Sequence, residues 1–361
     1  MRQPARGVFI RHSCNMAPPE VLHRTARLLL ALTAGGCVAA PAPPSANLVS
    51  LPCAPGVRIS EAKLARATPS VASVYTAGLA SPQFASLSAA LEDGVTASFP
   101  GLPVAVGRAQ VTALHGLLFG AFDDRVVHVR RVLKAADAEV IEWTITGVQA
   151  RDWMGMTATR APVVIEGVTL LWAGADHGIS DVHVYCDIAR VKAELGAGPA
   201  ELRGLPAPPV PTGPTERATQ TESSTELGDV MIVRTELDAL ELGDRRRYLA
   251  TMADDVTVRS VEIAEVASGK TDVGRYYDGL HKAIASLDAA VSNVWGIGEF
   301  VVVEYSIRGL QTSPLYWVPA TTAHDRVVTL HLVDVVDLRD ERIRHISRYD
   351  DPEEVLAGPS L

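Results

Sequence analysis

The chain repeats itself, and that repeat limits its folds more than any other feature. Glu142-Trp143-Thr144-Ile145-Thr146-Gly147-Val148-Gln149 returns as Glu304-Tyr305-Ser306-Ile307-Arg308-Gly309-Leu310-Gln311, an offset of 162. At the same offset Gly107-Arg108 returns as Gly269-Lys270, and Asp93-Gly94-Val95-Thr96 returns as Asp254-Asp255-Val256-Thr257 at 161. Downstream, Trp153, Ile179, Tyr185 and Asp187 return as Trp317, Ile343, Tyr349 and Asp351, all at 164. The matches run in order and their spacing drifts by at most three residues, so the chain is two copies of one domain. The period is far too long for a solenoid.

Both copies spell the same order of elements. Apolar residues at helical spacing fill Val230 to Leu242 and Arg245 to Met252. A short strand follows (Val95 to Phe99, or Val256 to Ser260), then a helix opening after the matched glycine. Four strands close each copy: Val126–Leu133, Val140–Thr146, Val163–Trp172 and Ile179–Tyr185 in the first. Their counterparts are Ala290–Trp295, Phe300–Arg308, Val327–Val336 and Ile343–Tyr349. Helices first and consecutive strands after predict an α+β class with antiparallel pairing. The domains expected are 57–200 and 226–361, joined by a Pro-, Thr- and Ser-rich linker over 201–225.

The first 37 residues read as an address. Arg24 and Arg27 precede Leu28-Leu29-Leu30-Ala31-Leu32, and Ala34-Gly35-Gly36-Cys37 follows. A basic segment, a short apolar run and small residues make a secretion signal. The last four residues resemble a bacterial lipobox, in which Cys37 would be lipidated, with Met1 or Met16 as the start. Residues 38–56 form a tether, and the expected location is the cell envelope, lipid-anchored or secreted. Cys53 and Cys186 are left to form a disulfide, the alternative being Cys186 as a small buried residue in a strand. A net charge of -9 leaves no global basic field for nucleic acid, and membrane contact is expected only through the lipid anchor.

Each copy resembles the SnoaL-like branch of the nuclear transport factor 2-like superfamily. In the first copy the resemblance rests on Val95-Thr96-Ala97-Ser98-Phe99-Pro100-Gly101, Gly107-Arg108, Trp143 to Gly147, Gly155-Met156-Thr157-Ala158-Thr159 and Tyr185-Cys186-Asp187. The second keeps the framework and fewer of the loop details. The resemblance implies two cones, each a curved antiparallel sheet wrapped around N-terminal helices with a pocket in its mouth. It also implies polyketide cyclase, isomerase or dehydratase chemistry, or binding alone.

SnoaL-like cyclases carry an acid–base Asp on the last strand; here Val184 and Arg348 stand at that position. The expected function is therefore binding of a small apolar molecule, with Trp143, Trp153, Val184, Tyr305, Trp317 and Arg348 at the pockets and no cofactor. An enzyme acting through the first copy is the alternative, with His183 or Glu142 as its base. A one-residue register slip would be needed to turn His183 inward, and otherwise it is a sheet-surface or interface histidine. A third reading is an interaction module, the two domains pairing within the chain or as a homodimer. Asp176, His177, Asp181 and His183 cluster across a turn, a weak signal for a metal site, so none is expected, and no nucleophile elbow or phosphate loop occurs.

Overall fold

Two long, bent sheets carry the structure, each with helices on one face. The computed structural model describes residues 70–174, 178–197, 202–203, 205–260, 267–315 and 325–350. The expected export signal, the lipobox Cys37, the tether, Cys53, Asp176, His177 and Trp317 lie outside the described residues. No helix among the described residues is long and apolar enough to cross a membrane.

The first copy runs α1 (Val71–Ala80), α2 (Ala85–Ala90), β1 (Leu91–Ser98), β2 (Ala105–Val106) and α3 (Arg108–Phe119). Then come β3 (Phe122–Lys134), β4 (Ala138–Gln149), β5 (Pro162–Ala173), β6 (Ile179–Cys186) and the short α4 (Ile188–Glu194). After β7 (Glu216–Thr219) the second copy repeats the plan. It has α5 (Ser224–Glu241), α6 (Arg245–Ala250), β8 (Met252–Ser260), β9 (Ala267–Ser268) and α7 (Gly269–Ala283). The strands β10 (Ile284–Ile297), β11 (Phe300–Gln311), β12 (Arg326–Arg339) and β13 (Arg342–Tyr349) complete it.

The repeated sequence is repeated geometry. Gly107 and Gly269 have φ of 86° and 74°, the left-handed region that glycine enters without penalty, and each turns the chain into a helix. The residue after each pairs with the matched aspartate: Arg108 Nη2 lies 3.0 Å from Asp93 and Lys270 Nζ 2.8 Å from Asp254. Both long first strands of the meanders break register twice, at Asp123/Val126 and Val129/Arg131 in β3 and at Ala285/Asp288 and Val291/Asn293 in β10. Such bulges bend a strand, and here they curl each sheet around its helices. The glycine pair Gly296 and Gly298 belongs to the β10–β11 hairpin, with Gly298 at φ 63°.

The α+β class and the two cones agree with the sequence reading, with two corrections. The sheets are mixed: the meanders β3–β6 and β10–β13 are antiparallel, but β1 pairs parallel with β6 and β8 with β13. Periodicity marks a strand without telling which way its neighbour runs. The linker is also more than a tether, since Glu216–Thr219 joins the first sheet as β7, parallel to β3. Its downstream end is fixed by a capping box at Ser223 and Glu226; Glu226 also accepts from Gly298 N at 2.8 Å, tying α5 to the β10–β11 turn.

Alternate residues of the long strands serve two cores. In β4, Ile141, Trp143 and Ile145 face α1 and α3; in β11, Val301, Val303, Tyr305 and Ile307 face α5 and α7. The other faces meet. Val140, Val168, Leu170 and Tyr185 of the first sheet form one buried cluster with Phe300, Val302, Val333, Val335 and Tyr349 of the second. Burial on both faces explains why these strands read as nearly continuous apolar runs. Both cones lie within one compact unit, Ala65–Leu361.

The seam is fastened by a reciprocal pair. Tyr349 Oη donates to Glu142 Oε1 at 2.6 Å, and Tyr185 Oη donates to Glu304 Oε1 at 2.7 Å. These are the matched residues of the repeat, so the two halves meet about a pseudo-two-fold axis. Each glutamate also faces the residue after its own bulge: Arg131 Nη1 lies 2.8 Å from Glu142, and Asn293 Nδ2 donates to Glu304. Arg131 further reaches Glu216 and Asp337 and lies 4.2 Å from the Phe300 ring centre. Tyr349→Phe should cost about 1.5–3 kcal/mol, the range for a hydrogen bond to a charged partner. Arg131→Ala, which strands a buried carboxylate, should cost about 3–5 kcal/mol. Urea unfolding followed by circular dichroism measures both.

Candidate functional site

The interior of the second cone holds a charged cluster where a core would otherwise be apolar. Along α5, Val233, Leu237 and Leu240 face the sheet, and Glu236 lies on that same stripe, 2% exposed. In β12 the inward residues are Leu330, Leu332, Asp334, Val336 and Leu338; in β13 Arg348 shares a face with Ile346. Tyr248 of α6, Tyr276 of α7 and Tyr305 of β11 complete the group, and all six are buried.

Arg348 grips Asp334 with two nearly parallel bonds, Nε to Oδ1 at 2.9 Å and Nη2 to Oδ2 at 2.7 Å. This fork geometry is the strong form of an ion pair. Its remaining Nη1 donates to Tyr276 Oη at 2.7 Å, and Tyr305 Oη donates to Asp334 Oδ2 at 2.9 Å. The rings of Tyr276 and Tyr305 lie 5.6 and 6.0 Å from the guanidinium carbon.

Glu236 is the odd member. Its Oε1 is buried without a hydrogen-bond partner. Burial pushes its pKa up to about 8, with Arg348 opposing and Asp334 reinforcing the shift. Burial is the main cause, because a dry interior penalises the charged form, and a hydrogen bond with Tyr248 opposes the shift only in part. The cluster thus sets a carboxyl whose pKa is raised by burial beside one gripped by arginine.

The first cone uses the same positions differently. By strand register, Thr169 opposite Val184 occupies the place of Asp334 opposite Arg348. Here the polar groups form one neutral chain. Trp143 Nε1 donates to Thr169 Oγ1 (2.8 Å), Thr169 Oγ1 donates to Tyr75 Oη (3.4 Å), and Tyr75 Oη lies 3.0 Å from His115 Nε2. His115 Nδ1 lies 2.8 Å from the Val111 carbonyl, so Nδ1 carries the proton and Nε2 accepts. Burial pushes the His115 pKa down to about 4, which keeps the ring neutral.

The residues singled out from the sequence fall into three places. Trp143 and Val184 belong to the first core, and Tyr305 and Arg348 to the second-cone cluster. Trp153 packs in the first core: its ring meets Phe122 at a tilt, centroids 5.1 Å apart, and its Nε1 donates to the carbonyls of Leu117 and Leu118. Cys186 is buried in the first core. His183 and Glu142, the weak candidates for a base, lie on the seam. His183 points outward, its Nδ1 2.6 Å from Glu304 Oε1 and its Nε2 3.4 Å from Asp181 Oδ2. Burial opposes its charge, but the two carboxylates raise its pKa to about 9. Both ring nitrogens of His183 thus face carboxylates on the seam, away from the interior of either cone. Glu236, Asp334, Tyr248 and Tyr276 were not singled out, although a charge on an apolar stripe is visible for the first two. No group of three His, Cys, Asp or Glu among the described residues is placed to hold a metal ion.

Residues 233–346 match the family model of the SnoaL-like domain. The match covers the copy with fewer of the family's loop details and includes every member of the cluster except Arg348. The second half of the chain therefore carries a SnoaL-like domain. Among solved structures, one described as a SnoaL-like polyketide cyclase from Jannaschia sp. CCS1 is 22% identical. The alignment covers 39% of this chain and 99% of that one, with a TM-score of 0.34. A protein with a ketosteroid isomerase-like fold from Catenulispora acidiphila is 16% identical over 36% of this chain and 92% of its own, TM-score 0.31. An LEH-like epoxide hydrolase from M. tuberculosis is 16% identical over 37% of this chain and 89% of its own, TM-score 0.30. No curated protein matches the chain.

Both raised groups predict alkaline sensitivity. His183 contributes stability that is complete below pH 6.5 and is lost as pH rises through about 9. Glu236 contributes stability that is complete below pH 4.5 and is lost as pH rises through about 8. Unfolding free energy should fall between pH 7 and 9, His183 accounting for about 2 kcal/mol of the loss. His183→Gln should flatten that limb in urea titrations at a series of pH values.

Proposed function

We propose that the second cone is the working half and binds a small, oxygen-bearing organic molecule. The observation that carries this reading is the buried Oε1 of Glu236, which has no hydrogen-bond partner although Tyr248 hydrogen-bonds the same carboxyl. A buried polar atom left without a partner calls for an explanation, and a ligand carbonyl or hydroxyl accepting its proton supplies one. Arg348 and Asp334 hold each other and fix the field in which that oxygen would lie. The reading replaces an apolar ligand with one that has a polar end, and narrows the site from either cone to the second.

A second reading is acid–base catalysis of the cyclase or isomerase type in this same cone. A carboxyl whose pKa is raised by burial, set close to an arginine-bound one, suits such chemistry: Glu236 as the donor to a carbonyl oxygen, Asp334 as the partner held by Arg348. Turnover of β-keto esters, lost in both Glu236→Gln and Asp334→Asn, would favour it over binding alone.

The binding reading is tested by native mass spectrometry of the purified chain, with added cyclic ketones and phenols as probes. A bound adduct should persist in Glu236→Gln, which keeps a neutral donor, and vanish in Glu236→Leu, with circular dichroism reporting that the fold is intact. Binding by the wild type should weaken as pH rises through about 8, where Glu236 ionises, and Glu236→Gln should remove that dependence. No adduct with any probe, or one indifferent to Glu236, would overturn the reading.

The export reading rests on Ala34-Gly35-Gly36-Cys37 behind its apolar run. We propose a lipid-anchored protein of the bacterial cell envelope. Cys37→Ala should leave the membrane fraction and lose the mass of the lipid; a variant unchanged in both would sink the assignment.

A further inference from the structure

A pocket of about 440 Å³ opens between the outer faces of the two sheets, on one side of the seam. That volume is within the usual range for small-molecule sites, about 300–1,000 Å³. One wall is β3–β5 of the first cone and the other is β8 and β13 of the second, contributing Arg259, His345 and Tyr349. The linker covers it with Pro209, Pro211 and Pro214. Trp143 borders it, while its indole reaches the other way, to Phe119 and Thr169 in the first core.

The charges around the pocket are already matched, with one exception. Glu142 is held by Tyr349 and Arg131, Glu216 by Arg131, and Glu166 by both nitrogens of Arg259. His345 is bonded at both ring nitrogens, to Thr257 Oγ1 and Ser347 Oγ. Arg130 lines the same pocket, is half-buried, and has no ion pair or hydrogen bond from its side chain among the described residues. It is placed there by the β3 bulge: the register break between Val129 and Arg131 leaves Arg130 without a β4 partner. Bulges commonly re-aim a side chain in this way.

The duplication supplies an internal control. At the repeat's own offsets, Arg130, Arg259 and His345 correspond to Ser292, Ser98 and Asp181. Strand register agrees, since Thr96 pairs with Asp181 as Thr257 pairs with His345. The seam's shared fastening, glutamate to tyrosine, occurs on both sides. The three basic or imidazole groups occur only on the side that the linker covers. They are additions to the seam and are not required to close it.

We infer that this interdomain pocket is a second ligand site, taking a small organic monocarboxylate whose charge pairs with Arg130 and whose apolar body lies under the linker prolines. Guanidinium and carboxylate match in shape and charge. Three lining carboxylates disfavour a dianion, so phosphate and dicarboxylates fit poorly. The inference does not rest on the second-cone reading.

Calorimetric titration of the full chain with 2-naphthoate, 2-naphthamide and inorganic phosphate tests it. The acid should bind, and the amide and phosphate should bind at least tenfold more weakly. Arg130→Gln should lower naphthoate affinity at least tenfold, while Arg275→Gln on exposed α7 should leave it unchanged. Arg130 breaks no ion pair when replaced, so the melting temperature of Arg130→Gln should match wild type and exclude unfolding as the cause. Equal binding of acid and amide, no binding of naphthoate, or affinity lost with Glu236→Gln and kept with Arg130→Gln would each overturn the site.

Discussion

The arrangement of this protein depends on two buried carboxylates that must stay satisfied. Glu142 and Glu304 are on the outer faces of their sheets, where an apolar partner surface removes them from water. A buried carboxylate without partners costs several kcal/mol. Each is supplied from both sides of the seam: a tyrosine from the other cone, at 2.6 and 2.7 Å, and an arginine or asparagine from its own bulge. Neither cone can satisfy its glutamate alone. The polar pairs therefore fix how the sheets meet, while the valines and leucines around them provide most of the attraction, about 1.5–3 kcal/mol for each fully buried side chain.

That constraint falls on one face of each sheet and leaves the other to diverge. Because side chains alternate, a change at an inward position does not touch the seam. The interiors have separated accordingly. The first cone has a hydrogen-bonded chain of neutral groups from Trp143 to Val111, complete in itself. The second has an ion pair and an acid that lacks a partner at one oxygen. The same framework positions hold Thr169 and Val184 in one and Asp334 and Arg348 in the other, a change from a filled core to a polarised interior.

Much of this was legible in the sequence. The repeat spacing gave the correct order of helices and strands, and the matched glycines and aspartates mark real turns and ion pairs. What periodicity could not show was relative direction, hence the parallel β1–β6 and β8–β13 pairs, or that Glu216–Thr219 would join a sheet from within a linker. Tyr185, Tyr349, Glu142 and Glu304 stood out as matched residues, but their match does not say that they touch one another. That is a relation between copies, and alignment compares copies without docking them. Arg348 was legible as a departure from the family's last-strand acid. Its partners Asp334 and Glu236 were hidden only because each is a single charge inside a run that otherwise reads as apolar.

Covalent fusion explains the remaining asymmetry. Two identical cones paired about a true two-fold would present the same residues on both sides of the seam. Here the polypeptide crosses the seam once, and only one side acquires a cover of prolines. Residues on that side can then diverge from their counterparts without loosening the fastening that both share. His345, ringed by Arg130, Arg131 and Arg259, is held neutral by burial and by their charge, with its pKa near 4. His183 belongs to the opposite side, between Asp181 and Glu304, and is held positive. One seam thus carries histidines in opposite charge states, each set by which side of the crossing it lies on.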